Sequence, residues 1–402
     1  MKIKINLSVL ITIALLIISI IISSAANKDA NHTDEAYTTY ASEDEINTNE
    51  KEMRGLWVSF ITLDMTDSDM SFEAFRKKFD KIVNTAVNYK LNTLIVQVRP
   101  FCDALYKSEV FPYSHILTGT QDKNPGYDPL EYMCKTAHSH GLEIHAWINP
   151  YRVATSTTPK KLSNNNPYVN NPDIGMELDS GIYLNPAKKA SRKLVCDGIK
   201  EIINNYPVDG IQFDDYFYPS DIKDEDAAEY NTYKKAIGNK IPLSVEEWRM
   251  QNVNILIAEA YSIIKCINKE IDFGISPQGN IENNKDLCAD IKSWSEIKGY
   301  VDYICPQMYY STENPSLRFE DNLLQWKEFE YHSDIKVYIG LGAYKAGTDA
   351  DKGTWLNSDE ILANELSLLR EYKYSGFMIY DYSAFESKYA KEELNNLLSV
   401  ID

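Results

Sequence analysis

The chain has 402 residues, 44% of them apolar and 12% aromatic, with 59 acidic against 41 basic side chains and a formal net charge of -18. Nucleic acid and anionic membrane surfaces need a basic footprint, so this balance argues against either as the main partner. The length suits two average domains or one α/β barrel with inserted loops, and the apolar content is ample for a large core.

The N-terminus reads as a targeting segment. Lys2 and Lys4 precede an almost unbroken apolar run from Leu7 to Ile22, and Ser23, Ser24, Ala25 and Ala26 follow. A basic start, an apolar core and small residues at the end form the pattern of a secretory signal. The run also approaches the lower limit for a spanning helix, so residues 1–26 are either a cleaved signal or an uncleaved anchor. Residues 27–52 are polar and acidic without apolar periodicity and read as a flexible tether. One folded domain is expected over 53–402, exported, and attached to a membrane only if residues 7–22 are retained.

From Arg54 onward, short apolar strands alternate with amphipathic helices. Gly55–Phe60 is the first predicted strand. The helix after it runs from Ser71 to Tyr89, with Ser71 as N-cap. Thr93–Arg99 is the second strand, and Pro129–His140 is a helix opened by proline and closed by Gly141. Glu143–Pro150 is the third strand. A long polar excursion, Tyr151–Asn185, leads to a helix over Lys188–Asn205. The fourth strand lies in VDGIQFDDYFYP, Val208–Pro219.

The second half keeps the rhythm. A long helix over Val245–Asn268 precedes the fifth strand, Asp272–Pro277, and a weaker helix over Leu287–Lys298 precedes the sixth, Asp302–Tyr310. Helix Arg318–Tyr331, strand Lys336–Tyr344, helix Ser358–Tyr374, strand Gly376–Phe385 and helix Tyr389–Ile401 complete the chain. Eight strand–helix alternations predict a (β/α)8 TIM barrel with long βα loops. A doubly wound open sheet is the alternative, but no Gly-rich phosphate turn follows the first strand. None of the six cysteines forms a C-x-x-C pair, and their settings in helices and a strand read as small buried apolar residues.

Barrel chemistry sits at the C-terminal ends of the strands. By the period of two, the inward ends here are polar: Gln97 and Arg99, then His145, Trp147 and Asn149, then Gln212 and Asp214, then Gln307 and Tyr309. A purely structural barrel would close that layer with Val, Ile or Leu. Asp214 and Asp215 together at a strand end, followed by Tyr216, Phe217 and Tyr218, point to the mouth of a sugar-binding cleft. The bland reading is an Asp pair that caps loop amides.

The segments MRGLWVSF, LNTLIVQVRPFCDALYKS, YDPLEYMCKTAHSHGLEIHAWINPYR, YLNP, VDGIQFDDYFYP, EEWRMQNVN, FGISPQGN and VDYICPQMYY, in this order over Met53–Tyr310, resemble the bacterial glycosyl-hydrolase-like family 10. After Tyr310 the resemblance thins to IGLGAY. It implies an extracytoplasmic TIM-barrel domain similar to glycosidases. It also implies action on peptidoglycan glycan strands, including strands stripped of stem peptides. No cofactor is part of that expectation.

Glycoside cleavage needs an acid for the leaving oxygen and a second group that attacks or activates water. Asp214 is the first candidate for one of these. Its strand resembles the fourth-strand nucleophile of the α-amylase superfamily and the DG-x-D-x-D strand of chitinase-like barrels. The chitinase catalytic Glu would fall at Tyr216, which argues against that mechanism. Asp215 is expected to point outward and to orient Arg152 or loop amides, unless twist at the strand end exchanges the catalytic role between the two. For the second carboxylate Glu247 ranks ahead of Asp381 and Asp103, with a helix N-terminal role as its plain alternative. Arg99, Arg152 and Arg249 are candidates to tune carboxylates or to hold the lactyl carboxylate of muramic acid. Trp147, Tyr151, Tyr216, Tyr218, Tyr309 and Tyr310 are candidate sugar platforms. Two rival readings stay open: a metal site built on His145 and the Asp pair, and a non-catalytic glycan-binding barrel.

Overall fold

The computed structural model describes residues 51–67 and 69–401. The apolar run at residues 7–22 and the tether up to residue 50 lie outside them. Among the described residues no helix is long and apolar enough to cross a membrane.

All the barrel strands pair in parallel, and the ring closes. Strand one (Met53–Val58) pairs with strand two (Thr93–Arg99), which pairs with strand three (Glu143–Ile148), which pairs with strand four (Gly210–Phe213). Strand four pairs with strand five (Asp272–Ile275), and strand five with the sixth. The sixth and seventh strands are each split in two, as Tyr303–Ile304 with Gln307–Met308 and as Lys336–Val337 with Ile339–Leu341. Pro306 lacks an N–H and breaks the sixth ladder, yet its carbonyl still accepts from Gly340 N–H at 2.9 Å. Both halves pair across, and strand eight (Gly376–Ile379) joins the seventh back to the first. This is the expected (β/α)8 barrel.

The helices also follow the sequence. Ser71 caps Phe72–Asn88 by accepting from Ala74 N–H, and Asp128 caps Pro129–Ser139. Gly141 takes φ +72° at the end of the latter, a conformation that favours glycine. Differences lie in the loops. The excursion after strand three holds a small antiparallel sheet in which Gly181–Leu184 pairs with both Arg152–Thr155 and Gly175–Leu178. A helix at Ala227–Ala236 was not anticipated, because its buried face is slight. The weak helix expected at 287–298 shrinks to Ile291–Glu296.

Two apolar clusters divide the core. The larger lies between strands and helices, and the smaller fills the barrel itself with Met53, Trp57, Ile95, Trp147, Tyr303, Cys305, Tyr338 and Met378. Rings of this size fit inside only where a facing residue has no side chain. A Cβ on Gly274 would stand 2.0 Å from the Tyr303 ring, and one on Gly210 2.5 Å from His145. Five cysteines are buried free thiols, while Cys266 is exposed.

Candidate active site

At the C-terminal end of the barrel a cleft of about 310 Å³ is lined by Trp57, Trp147, Gln212, Asp214, Asp215, Tyr216, Ser276, Gln278, Gln307, Tyr309, Tyr344 and Tyr380. Residues from seven of the eight strands or their ends contribute. Asp214 and Asp215 are the only carboxylates among the described residues that line it.

Asp214 is 3% exposed and is gripped from the third-strand side. Its Oδ2 accepts from Trp147 Nε1 at 3.0 Å and from Asn149 Nδ2 at 3.2 Å. Its Oδ1 has only a long contact, 3.4 Å, from the Tyr216 N–H. Burial, then the charge of Asp215, pushes the Asp214 carboxyl up to about 7, against the relief given by Arg152 and its donors. Asp215 was expected to point outward. It instead enters the same cleft, because the ladder ends at Phe213 and alternation no longer governs the next residues. Its Oδ2 accepts from Gln278 and its Oδ1 from Gln307 Nε2 at 3.1 Å. Burial raises the Asp215 carboxyl too, and these two amides pull it back.

Below the acids lies a polar layer. The Tyr303 hydroxyl donates to Gln212 Oε1 at 3.1 Å and meets His145 Nδ1 at 3.0 Å. Burial lowers the His145 imidazole to about 4, so it is neutral at ordinary pH. Among the described residues no three His, Cys, Asp or Glu side chains converge as a metal-holding group. Aromatic rings form the facing wall: Tyr309 and Tyr380 stack at 5.1 Å, and Trp57 and Tyr344 meet them edge-on. Tyr216 stands at the rim, 52% exposed, with the Arg152 guanidinium 5.3 Å from its ring.

Trp147, Gln212, Asp214, Asp215, Tyr216, Gln307 and Tyr309 thus meet in one cleft, with Asn149 and Arg152 against them. Other expected site residues do not reach it. Glu247 closes a capping box with Ser244 at the start of Val245–Ile267 and is exposed, outside the cleft. Arg249 makes a two-pronged ion pair with Asp226, just before the unanticipated helix. Arg99 is buried, donates to the Asn149 and Pro150 carbonyls, and packs on Phe111. Tyr151 and Tyr218 are core residues, 0% and 1% exposed. Asp381 accepts from the Ser59 hydroxyl and the Ser383 N–H, and Asp103 from Gln121, with His115 beside it. Each of these polar groups is committed to bracing a loop or helix end. Trp57, Ser276, Gln278, Tyr344 and Tyr380 line the cleft and were missed as site residues. Gln278 lies within FGISPQGN, one of the segments that carries the resemblance, but an amide gives no acid–base signal in the sequence.

A family model described as glycosyl hydrolase-like 10 matches residues 52–356, so the similarity continues beyond Tyr310. Glycosyl hydrolase YngK of Bacillus subtilis is 32% identical over 345 residues, which cover 80% of this chain and 66% of that protein. Glycosyl hydrolase DigH of Escherichia coli is 32% identical over 285 residues, 64% of this chain and 63% of that one. The chain therefore spans a little under two thirds of the length of these relatives. Among solved structures, the glycoside hydrolase domain of PgaB from Bordetella bronchiseptica superposes with a TM-score of 0.58 at 11% identity, covering 88% of this chain and 100% of that chain. For the α-L-fucosidase isoenzyme 2 of Paenibacillus thiaminolyticus the TM-score is 0.56 at 14% identity, over 87% of this chain and 49% of that one. At such identities the likeness is one of fold. The family match covers most of the chain and includes every residue that lines the cleft except Tyr380: the chain belongs to the glycosyl hydrolase-like 10 family.

Proposed function

We propose that the chain is a glycosidase that cleaves β-1,4-linked cell-wall glycan outside the cytoplasm, with a preference for strands that lack stem peptides. The observation that carries the reading is the Asp214–Asp215 pair, buried side by side in a cleft walled by aromatic rings. A carboxyl that holds its proton near neutral pH is fitted to protonate a glycosidic oxygen as the bond to C1 breaks. Tyr309, Tyr380 and Tyr216 offer faces on which pyranose C–H groups pack. Of the three arginines considered for the lactyl carboxylate of muramic acid, Arg152 alone stands beside the cleft, stacked on Tyr216.

The wall is itself anionic and the chain carries a net charge of -18, so recognition depends on these local contacts rather than on long-range attraction. The test is incubation of the purified protein with peptide-free muro-glycan and with chitin oligomers, products being read by mass spectrometry. Cleavage of the muro-glycan in preference to chitin is expected. Equal or better cleavage of chitin would remove the Arg152–lactyl contact. Cleavage of neither, with the glycan still retained in pull-down, would replace the enzyme by a glycan-binding barrel.

A further inference from the structure

Both cleft carboxylates come from one strand end, and this leaves the reaction one group short. Glycoside hydrolysis by two protein carboxylates needs them on opposite sides of the sugar, roughly 5–5.5 Å apart for a nucleophile and roughly 6.5–9.5 Å apart when a water must fit between. Asp214 and Asp215 are consecutive residues on one wall. The facing wall consists of Trp57, Tyr309, Tyr344 and Tyr380. The candidates for an opposing acid are committed elsewhere: Glu247 to its capping box, Asp381 to Ser59 and Ser383, Asp103 to Gln121 and His115. Nor does a phenol fill the gap. Burial raises the hydroxyls of Tyr309, Tyr380 and Tyr216 above their ordinary range, so none is a phenolate nucleophile at neutral pH.

The hydrogen bonds give the two acids different work. Asp214 takes both of its short donors on Oδ2, which leaves Oδ1 able to carry a proton into the cleft. Asp215 accepts an amide N–H on each oxygen, and these two donors favour its charged form against the rise that burial imposes. A carboxylate held rigidly by two amides beside a carboxyl free to carry a proton, with no nucleophile opposite among the described residues, matches a substrate that brings its own nucleophile. Cell-wall sugars carry one: the carbonyl oxygen of the 2-acetamido group, which reaches C1 of its own ring.

We infer that hydrolysis at this site is assisted by the substrate's 2-acetamido group, with Asp215 as the carboxylate that accepts and orients its amide N–H and Asp214 as the proton donor. The inference rests on the glycosidase reading above and narrows it to 2-acetamido sugars. In the first step the acetamido oxygen bonds to C1, the C1–O bond to the leaving sugar breaks, and Asp214 gives its proton to that oxygen. The five-membered cation so formed has its positive N–H against Asp215. In the second step water bonds to C1, Asp214 takes its proton, and the C1–O bond to the acetamido group breaks, which restores the amide. Two displacements at C1 leave the product with the configuration of the substrate. Gln278 and Gln307 are positioning residues, because they act through Asp215. The departure from the chitinase-like pattern at Tyr216 removes one arrangement of such chemistry; the neighbouring Asp215 supplies another.

The experiment uses the purified full chain and three readouts. Proton NMR of the first product formed from peptide-free muro-glycan oligomers reports its anomeric configuration, and retention is expected. A series of substrates with mono-, di- and trifluorinated acetamido groups weakens the nucleophile stepwise, and kcat is expected to fall at each step. Calorimetry with the thiazoline derived from N-acetylglucosamine probes the cyclic intermediate directly. Binding is expected, and it should weaken about tenfold or more in Asp215→Asn, where a charged acceptor is lost. Inversion at C1, or a rate indifferent to fluorination, overturns the inference while leaving a glycosidase in place. Absence of both product and thiazoline binding overturns the inference and the proposed function together. Thiazoline binding without any product supports the acetamido site and overturns the hydrolysis.

Discussion

Among the described residues are two buried acid pairs, and they differ in almost every respect except burial. Asp214 and Asp215 sit at a strand end, each fixed by side-chain donors and each facing a cleft. Glu365 and Glu393 sit between the two last helices, Ile361–Glu371 and Lys391–Val400, at 0% and 2% exposure. There Glu393 accepts from the Leu362 N–H, while neither carboxyl oxygen of Glu365 has a hydrogen-bond partner. Burial lifts both pairs: Asp214 and Glu393 to about 7, Asp215 and Glu365 upward, the last of these far above the usual range. A perturbed carboxyl is thus no sign of chemistry by itself. What separates the pairs is an open cavity and donors aimed from other strands.

The comparison breaks most visibly at Asp214. Asp214→Asn should lower turnover on muro-glycan about a thousandfold or more, as loss of a primary catalytic group does, with the melting temperature unchanged or higher. Because the acid must hold its proton, wild-type kcat/KM should fall as pH rises through about 7, the value to which Asp214 is raised. Near-normal turnover in the variant, or a profile flat across that range, would place the acid elsewhere. At the rim, Tyr216→Ala should raise KM about tenfold, the order of a stacking contact. Its half-exposed ring carries little of the core, so stability should hold; a large fall in melting temperature with unchanged KM would make it a packing residue instead.

The sequence made these assignments legible only as far as the ladder ran. Alternation correctly turned Gln97, His145, Trp147 and Gln212 toward the barrel axis, because strand pairing enforces it. Beyond Phe213 no partner strand holds the register, and Asp215 swung into the cleft beside Asp214. The arginines were legible as charges but not by partner: Arg249 answers Asp226, which belongs to a loop and helix too weakly patterned to be foreseen. Tyr344 and Tyr380 follow strands whose ends the sequence weighs only for acids, such as Asp381, and a tyrosine near a strand end reads equally well as core. The excursion 151–185 folds into its own sheet, and a run of polar residues carries little of that period.

The second pair should respond in the opposite sense. Glu365→Leu removes two unpartnered buried oxygens and should stabilise the fold by about 1–3 kcal/mol near neutral pH while leaving turnover unchanged. The sign follows from linkage. The folded state raises the Glu365 carboxyl, so the native chain binds a proton that the unfolded chain has released, and wild-type stability drains away as pH rises above the ordinary carboxylate range. The advantage of Leu should therefore be present at pH 7 and shrink toward pH 4, as read by thermal melts at both. A destabilised variant would mean that Glu365 has a partner the fold depends on, and the contrast between the pairs would fail.

The smallest effect belongs to Glu247, which tests whether a carboxylate near the site in sequence works for the site or for its own helix. Its Oε2 accepts from the Ser244 N–H at 2.8 Å while Ser244 Oγ accepts from the Glu247 N–H at 3.1 Å. A group that closes a reciprocal cap has spent its acceptor on the backbone, and at the first turn it also faces the positive end of the helix dipole. Glu247→Ala should therefore cost about 0.5–1 kcal/mol, the low end of what a cap contributes, and leave kcat and KM as they are. Glu247→Gln keeps an acceptor oxygen and should recover most of that loss. A fall in kcat in both variants, without a matching loss of stability, would bring Glu247 into the reaction as the opposing acid, and the reason for calling on the substrate's acetamido group would disappear with it.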